Sequence, residues 1–176
     1  KIPKNFEELQ SILLQNRGIT PAQTQEFLSP KHPDELTPKS VGISQTQFTK
    51  ALKMIRAALE KDQKIVLFGD YDVDGICASS ILWQVLFELY KKKWPSGLNH
   101  PVPFIPDRKR HGYGISSLAL DEVMSAHSPE LLVTLDNGVV AHSAVAYAKT
   151  LGLSVIITDH HQPELKDEKI HFPEAD

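Results

Sequence analysis

The sequence has little cysteine and no long apolar run, and these two shortages exclude several classes of protein. Cys77 is the single cysteine among 176 residues, so disulfides within the chain are excluded and a reducing compartment such as the cytoplasm is expected. No apolar stretch approaches the roughly 20 residues that span a bilayer, and the N-terminal stretch KIPKNFEELQ has no signal-peptide core. A net charge of -3 gives no overall basic field for a polyanionic partner, although a local basic strip would suffice.

An initiator methionine is also missing, and we expect the sequence to be a piece of a longer protein. Its hydrophobic content of 41% and charged content of 23% are ordinary for a globular protein. The chain is long enough to bury a substantial core as one or two small domains.

Two different patterns divide the chain near residue 60. Residues 1–60 are polar, with apolar positions at helical spacing, which predicts an N-terminal helical segment. Residues 61–176 alternate short apolar runs with amphipathic stretches, which predicts a second domain of the α/β class. The predicted strands are residues 64–68, 101–105, 131–135 and 153–158, and the predicted helices are 76–91, 116–126 and 141–150. Such alternation is typical of a parallel sheet with helices on both faces.

The first strand leads directly into the stretch DYDVDG, where three aspartates occupy every second position. Asp70, Asp72 and Asp74 precede Gly75, and carboxylates this dense repel one another unless a cation lies among them. A calcium loop of the EF-hand type begins in the same way, but its closing glutamate at the twelfth position would fall on Ile81. An EF-hand loop also follows a helix, whereas a strand precedes this stretch. A solvated acidic turn stays open as the alternative.

Two further strands end in residues of the same kind. Asp136-Asn137-Gly138 follows the third predicted strand, and Asp159-His160-His161 follows the fourth. Ligands of open parallel sheets bind beyond the carboxyl ends of the strands, so these groups are expected at one rim. An extended DYDVD segment would also point its aspartates to one side. Each motif alone fits a helix cap or a turn equally well, but together they favour a site.

The mixture of carboxylate and imidazole groups favours Mn²⁺, or Mg²⁺ with fewer imidazole ligands. A structural zinc site would usually use thiolates, and Cys77 stands alone. Several carboxylates on one rim fit a site for two metal ions, which stabilises the attacking and leaving oxygens of a displacement at phosphorus. These residues therefore predict the hydrolysis of a phosphate ester.

The ordered set of DYDVDG, DNG and DHH resembles the first three motifs of the DHH phosphoesterase superfamily. Within it, the likeness is closest to the RecJ-type exonucleases, which digest single-stranded DNA. The segments NRGI, FLSP and IPDRKRHGYGIS carry this likeness, because smaller DHH phosphatases lack their counterparts. The resemblance extends from about residue 12 to residue 163 and so covers most of the chain.

The resemblance implies a role for each motif residue. The implied metal ligands are Asp70, Asp72, Asp74, Asp136 and His160. Asp136 would bridge two Mn²⁺ or Mg²⁺ ions, His161 would act toward the scissile phosphate, and Asp159 would orient its neighbours in the catalytic site. Arg108 and Tyr113 would hold DNA, because a guanidinium donates two hydrogen bonds to a phosphate and a phenol ring stacks on a base.

By the same resemblance, the protein would be a metal-dependent 5′-to-3′ exonuclease that releases mononucleotides during DNA repair and recombination. Single-strand-binding protein and a helicase would be its partners besides single-stranded DNA. Two alternatives stay open. One is a DHH-family phosphodiesterase acting on oligoribonucleotides or cyclic dinucleotides, and the other is a DHH-fold binding scaffold without catalysis.

The sequence departs from the family after His161. A fourth motif with a further metal-binding aspartate is expected there, and Asp167 or Asp176 would be a poor substitute. By the resemblance, the C-terminal domain that completes the cleft and an oligonucleotide-binding domain are also expected outside these 176 residues. We therefore expect the 176 residues to fold but not to digest DNA by themselves.

The other histidines show no metal-like spacing and are interpreted as surface residues: His32, His100, His111, His127, His142 and His171.

Overall fold

The computed structural model describes residues 2–166 and 168–176. Its contacts divide the chain into two compact units, the first ending at Phe48 and the second spanning Thr49–Asp176. This division falls inside helix α3 (Gln45–Glu60), whereas the sequence pattern places a boundary after residue 60, which stays a prediction. No helix within the described residues combines the length and the apolar content that crossing a membrane requires.

The first unit is helical, as its amphipathic sequence predicts. Helix α1 (Phe6–Asn16) begins after Asn5, whose side chain accepts a hydrogen bond of 2.8 Å from the Glu8 amide. Such a cap satisfies one of the backbone donors that the start of a helix leaves free. The short helix α2 spans Thr24–Leu28, and 3₁₀ turns span Pro21–Gln23, Pro33–Glu35 and Lys39–Val41.

The second unit is built on a parallel sheet, which confirms the predicted fold class. Its strands are β1 (Ile65–Gly69), β2 (Val102–Phe104), β3 (Leu131–Leu135) and β4 (Ser154–Thr158). They lie in the order β2-β1-β3-β4, and every neighbouring pair is parallel. Parallel neighbours need a connection that returns to the same end of the sheet, and helices provide it. These helices are α4 (Val73–Lys93), α5 (Arg108–His111), α6 (Ser117–His127) and α7 (His142–Thr150).

Alternate residues of β1 contribute to two separate apolar cores, because successive side chains of a strand point to opposite faces of the sheet. On one face, Val66 and Phe68 pack with residues of α6 and α7, which include Val145. On the other face, Ile65 and Leu67 pack with residues of α3 and α4. All residues of β1 are buried. Helices therefore cover both faces of the sheet, as predicted.

Helix α4 begins at Val73, earlier than the sequence predicts, and this changes the conformation of the acidic stretch. Asp72 is the N-cap and accepts a hydrogen bond of 3.1 Å from the Gly75 amide, while Asp74 lies in the first turn. The expectation of an extended DYDVD segment with its aspartates on one side is therefore wrong. Aspartate is a favourable N-cap, and the helix dipole favours negative charge in the first turn, so helix formation prevails over extension.

A short antiparallel hairpin follows the sheet, and the sequence pattern does not indicate it. It pairs β5 (Glu164–Lys166) with β6 (Lys169–His171), and Glu164 lies directly opposite His171. Each strand is only three residues long and has one apolar residue, Leu165 or Ile170, which is too short a stretch for polar and apolar alternation to predict a strand.

Gly75 packs against the backbone that follows β1, and this contact leaves no room for a side chain. A Cβ atom on Gly75 would lie 2.5–2.7 Å from backbone atoms of Asp70. Replacing a helical glycine by alanine usually stabilises a protein by about 1 kcal/mol. We expect the opposite sign here. Gly75→Ala should lower the free energy of unfolding by about 1–3 kcal/mol, because the backbone cannot move aside as a flexible side chain can.

Urea denaturation followed by circular dichroism measures this change in stability. Ser80→Ala, on the exposed part of the same helix, is the matched control and should change the free energy of unfolding by no more than about 0.5 kcal/mol. A Gly75→Ala protein as stable as the original would show that α4 can move away from Asp70 at no cost.

Candidate active site

The carboxyl ends of β1 and β3 place two aspartates at one rim. The Asp70 amide donates a hydrogen bond of 3.0 Å to the Leu135 carbonyl, and the Asp136 amide donates one of 2.9 Å to the Thr158 carbonyl. The hydrogen bonding of the sheet thus continues one residue beyond each strand. Both aspartates are buried, with exposed fractions of 1% for Asp70 and 8% for Asp136.

The turn after β3 holds Asp136 in a left-handed conformation, with a φ of 63° that costs an ordinary residue about 1 kcal/mol or more. The Asn137 side-chain amide fixes this turn by donating to the Phe68 and Leu135 carbonyls, at 3.2 and 3.0 Å. The Thr134 hydroxyl donates to the Asn137 carbonyl at 2.7 Å. Apart from the His160 imidazole, no group within the described residues donates a hydrogen bond to a side-chain oxygen of Asp136. A buried carboxylate with so few donors is stabilised by a bound cation.

Asp136 belongs to two groups of side chains that could each hold a metal ion. In the first group, oxygens of Asp70, Asp72 and Asp136 lie within 4.8 Å of one another. In the second, an Asp136 oxygen and ring nitrogens of His160 and His161 lie within the same distance. His160 Nε2 is 2.9 Å from Asp136 Oδ1. We call these the Asp136 groups, and their shared carboxylate suits the bridging position of a two-ion site.

Asp74 borders the Asp136 groups rather than joining either one within the described part of the chain. It lines a groove of about 400 Å³ whose other lining residues are Ala78, Asp136, Thr158, Asp159 and His160. Four of the five ligands that the resemblance implies therefore lie in the Asp136 groups, and the fifth adds negative charge beside them.

The neighbouring charges affect the two central aspartates differently. Burial raises the pKa of Asp136, and the adjacent Asp72 carboxylate raises it further, while His160 and His161 oppose the rise. The pKa of Asp72 is lowered, above all by the hydrogen bond from the Gly75 amide. The ionised form of Asp136 therefore depends on nearby positive charge, which the imidazoles supply only in part.

A hydrogen-bonded pair orients His161. Its Nδ1 lies 2.7 Å from Asp159 Oδ1, and the other Asp159 oxygen accepts a hydrogen bond of 2.8 Å from the Val139 amide. Burial acts to raise the pKa of Asp159, but hydrogen bonds from Val139 and His161 lower it overall. The hydrogen bond to Asp159 raises the pKa of His161. The carboxylate thus favours a protonated imidazole, whose Nε2 lies 3.5 Å from the Tyr113 hydroxyl.

A row of aromatic and basic side chains extends from His161. The Tyr113 ring lies 6.5 Å from the His161 ring, and the Tyr71 ring lies 6.1 Å from the Tyr113 ring, edge to face. The Arg108 guanidinium is 5.3 Å from the centre of the Tyr71 ring. We call these four residues the tyrosine row. The sequence reasoning selects Arg108 and Tyr113 but misses Tyr71, although Tyr71 stands between two aspartates of the first motif.

Other residues of the basic segment have structural partners. Arg110 forms an ion pair of 2.7 Å with Glu122, and His111 Nε2 lies 3.1 Å from the same carboxylate. His111 Nδ1 accepts a hydrogen bond of 3.0 Å from the Asp107 amide. Because His111 is buried, its interpretation as a surface residue is wrong.

The side chain of Asp176 has partners near the start of β4, at the end of the strand opposite to this rim. Its side chain accepts a hydrogen bond of 3.0 Å from the Val155 amide and pairs with Lys149 at 3.3 Å. Val155 lies near the start of β4, whereas the rim residues follow its end at Thr158. Asp167 lies outside the described residues.

Comparison with known proteins identifies relatives of this chain. The model of the DHH family, N-terminal domain, matches residues 64–176, more than half of the chain. The single-stranded-DNA-specific exonuclease RecJ of Bacillus subtilis is 35% identical over 159 residues, which cover 88% of this chain and 18% of that protein. The Escherichia coli RecJ is 32% identical over 114 residues, which cover 65% of this chain and 18% of that protein. The chain spans less than a fifth of the length of these curated relatives.

Two solved structures have a similar fold. A crystal structure of exonuclease RecJ bound to manganese matches with a TM-score of 0.58 and 29% identity, covering 72% of this chain and 29% of that chain. A crystal structure of RecJ from Thermus thermophilus in complex with Mn²⁺ has a TM-score of 0.57 and 25% identity, covering 96% of this chain and 20% of that chain. The predicted likeness to RecJ-type exonucleases of the DHH superfamily is confirmed.

The contact between Asp159 and His161 generates a prediction about proton binding. Because the pKa of His161 is raised and that of Asp159 is lowered on folding, the pair stabilises the protein most between those two pKa values. This contribution is lost as the pH rises through the pKa of His161, and also as it falls through the pKa of Asp159. In Asp159→Asn we expect the pKa of His161 to fall toward its ordinary value of 6.5.

Imidazole proton NMR over a pH series, without added metal, measures the pKa of His161. Asp121→Asn, which alters a carboxylate bonded to Tyr147, is the control and should leave the His161 titration unchanged. If the two variants titrate alike, then Asp159 does not determine the protonation of His161.

Proposed function

Because this chain belongs to the DHH family, we propose that it forms the metal-binding wall of a nuclease that hydrolyses phosphodiester bonds of single-stranded DNA. The observation that carries the proposal is the carboxylate of Asp136, which the two Asp136 groups share. Among residues 2–166 and 168–176, the His160 imidazole is the one group placed to donate to its buried oxygens. Similarity to single-stranded-DNA-specific exonucleases, and to RecJ crystal structures with manganese, supports the same function.

The side chains at the rim fit two divalent ions of the Mn²⁺ or Mg²⁺ class. Asp70, Asp72 and Asp136 would hold one ion, and Asp136 with His160 would hold the other, with Asp74 beside them. Carboxylate oxygens with one imidazole are donors that Mn²⁺ accepts readily. Such ions would supply Lewis-acid polarisation of the phosphodiester and neutralise charge on the attacking and leaving oxygens.

His161 would contact the scissile phosphate. Asp159 favours its protonated form and fixes the orientation of the ring, so Nε2–H can donate to a phosphate oxygen on which negative charge accumulates. Asp159 reaches the substrate only through His161 and is therefore a positioning residue.

The tyrosine row would hold the nucleic acid. Arg108 presents a planar guanidinium, which donates two hydrogen bonds to one phosphate. Tyr71 and Tyr113 present rings on which unpaired bases stack, whereas the bases of a duplex are already stacked on one another. This arrangement favours single-stranded substrate.

Several finer features rest on the likeness to RecJ-type exonucleases alone. They are digestion from 5′ to 3′, release of mononucleotides, action in DNA repair and recombination, and partnership with single-strand-binding protein and a helicase. The expected cytoplasmic location rests instead on the single cysteine. The expectation that these 176 residues do not digest DNA by themselves also stays a prediction.

A panel of substrates separates this function from its alternatives. A protein that contains this sequence is incubated with Mn²⁺ and 5′-phosphorylated single-stranded DNA, and in parallel with a duplex, a short oligoribonucleotide and a cyclic dinucleotide. Preferential digestion of single-stranded DNA supports the proposed function. Preference for the short RNA or the cyclic dinucleotide would favour a phosphodiesterase, and metal binding without hydrolysis would favour a scaffold.

Asp136→Asn tests the bridging carboxylate. Asparagine tolerates left-handed backbone, so we expect the fold to be kept while one negative charge is lost. The affinity of the 176-residue chain for Mn²⁺ should fall by about tenfold or more. Hydrolysis by a protein containing this sequence should fall by roughly a thousandfold, which corresponds to about 4 kcal/mol. Titration calorimetry measures the binding, and mononucleotide release measures the hydrolysis.

Glu88→Gln is the control for this variant, because it removes one carboxylate from an exposed position on α4. We expect it to leave both the Mn²⁺ affinity and the rate of hydrolysis unchanged. If the Asp136→Asn protein hydrolysed DNA as fast as the protein with Asp136, a site for two ions would be contradicted.

Arg108→Ala tests the contact with phosphate. We expect weaker binding of single-stranded DNA, and a slope of log K against log salt that is smaller by about 0.7, the value for one phosphate contact on a single strand. Arg110→Ala is the matched control, because Arg110 pairs with Glu122 and lies outside the tyrosine row. Fluorescence anisotropy of a labelled oligonucleotide over a salt series measures the slope. An identical slope for both variants would mean that Arg108 makes no phosphate contact.

A further inference from the structure

A second group of metal-capable side chains is separate from the Asp136 groups. His142 begins α7, Glu164 begins β5 and His171 ends β6. Glu164 and His171 are directly opposite in the hairpin, so their side chains project from the same face. The ligand atoms of all three residues lie within 4.8 Å of one another. The hairpin and the start of α7 therefore meet through side chains that bind metals.

The geometry of this group, which we call the histidine clamp, is close to that of a metal site. His142 Nε2 lies 2.9 Å from Glu164 Oε2, and His171 Nδ1 lies 3.7 Å from the same oxygen. Ligand atoms of a tetrahedral zinc site stand about 3.3 Å apart, because the bonds to the ion are about 2.0 Å long. The Nε2 atom of His142 is buried, and apart from the Glu164 carboxylate no group that the structure describes satisfies it.

The two imidazoles of the clamp stack in parallel, with ring centres 4.5 Å apart and planes inclined by 15°. Both rings also turn a nitrogen toward Glu164, since His142 Nε2 and His171 Nδ1 approach the same carboxylate oxygen. The nitrogen lone pair of an imidazole is a common ligand of transition metals.

We propose that His142, Glu164 and His171 bind one divalent transition-metal ion of the zinc class. Two imidazoles and one carboxylate suit Zn²⁺ or Co²⁺, whereas Mg²⁺ and Ca²⁺ prefer oxygen ligands. Three protein ligands leave a fourth position, which water occupies in sites of this kind. The clamp shares no described residue with the Asp136 groups, so it is a separate site.

The position of the clamp gives it a structural role. His142 follows closely after the turn that carries Asp136, and Glu164 lies shortly after His161 in the chain. A bound ion would tie the hairpin to the start of α7 and restrict the movement of the two loops that carry the Asp136 groups. The clamp supports the active site from outside and takes no part in the reaction.

Imidazole ¹H–¹⁵N NMR of the 176-residue chain tests the clamp directly. Asp136→Asn combined with His160→Asn provides a background in which the Asp136 groups bind metal weakly. On addition of Zn²⁺ to this background, we expect the Nε2 resonance of His142 and the Nδ1 resonance of His171 to shift strongly. His127, at the end of α6, is the internal control and should not shift. Unshifted resonances of His142 and His171 at millimolar Zn²⁺ would identify the clamp as an ion pair only and overturn the proposal.

Absorption of bound Co²⁺ provides a second readout in the same background. Removing one of three ligands with His171→Ala should lower the affinity for Co²⁺ by about tenfold or more, whereas His127→Ala should leave it unchanged. Unchanged affinity in His171→Ala overturns the proposal. If His171→Ala fails to fold, the NMR result decides, because that background keeps the clamp intact.

Discussion

The buried carboxylate of Asp136 lies beside the carboxylates of Asp70 and Asp72, and the rim is organised around the electrostatic cost of that contact. Burial and the charge of Asp72 both favour the protonated form of Asp136. Among the described residues, only the imidazoles of His160 and His161 reduce this cost, while hydrogen bonds from Asn137 fix the backbone turn that carries the carboxylate. A bound cation would therefore neutralise charge that the protein leaves uncompensated, and the ligands are ordered before it arrives.

In the first motif, the start of helix α4 stabilises the negative charge of Asp72 directly. Asp72 caps the helix and accepts the Gly75 amide hydrogen bond, so its pKa falls and it stays ionised beside Asp136. Gly75 also allows the helix to approach the backbone of Asp70 to a distance that no other residue permits. One glycine thus supplies a donor for one carboxylate and brings the helix close to a second. The short sequence DYDVDG combines a strand end, a cap and a first helical turn.

The sequence predicts the sheet and the rim because both depend on local patterns. Apolar runs mark β1 to β4, and parallel strands bring their carboxyl ends together, which locates Asp70 and Asp136. The burial of His111 and the contact of Arg108 with Tyr71 depend on distant segments, so no local pattern reports them. The hairpin is not predicted because each of its strands is only three residues long, which is too short for a pattern of alternation to be recognised. The prediction of an extended DYDVD stretch is wrong for another reason: a short acidic stretch fits both an extended segment and the start of a helix.

His161 belongs both to the tyrosine row and to one of the Asp136 groups, so the two sets of side chains are adjacent on the rim. The imidazole of His161 contacts Tyr113 on one side and belongs to a metal-capable group on the other. A nucleotide with its base on a tyrosine ring would have its phosphate free to approach His161 and the carboxylates. A base can stack on such a ring only after it has left its neighbours in a duplex. Under the proposed function, selection of single strands would arise in the tyrosine row, whereas metal ions bound by the Asp136 groups would supply chemistry that does not depend on base pairing.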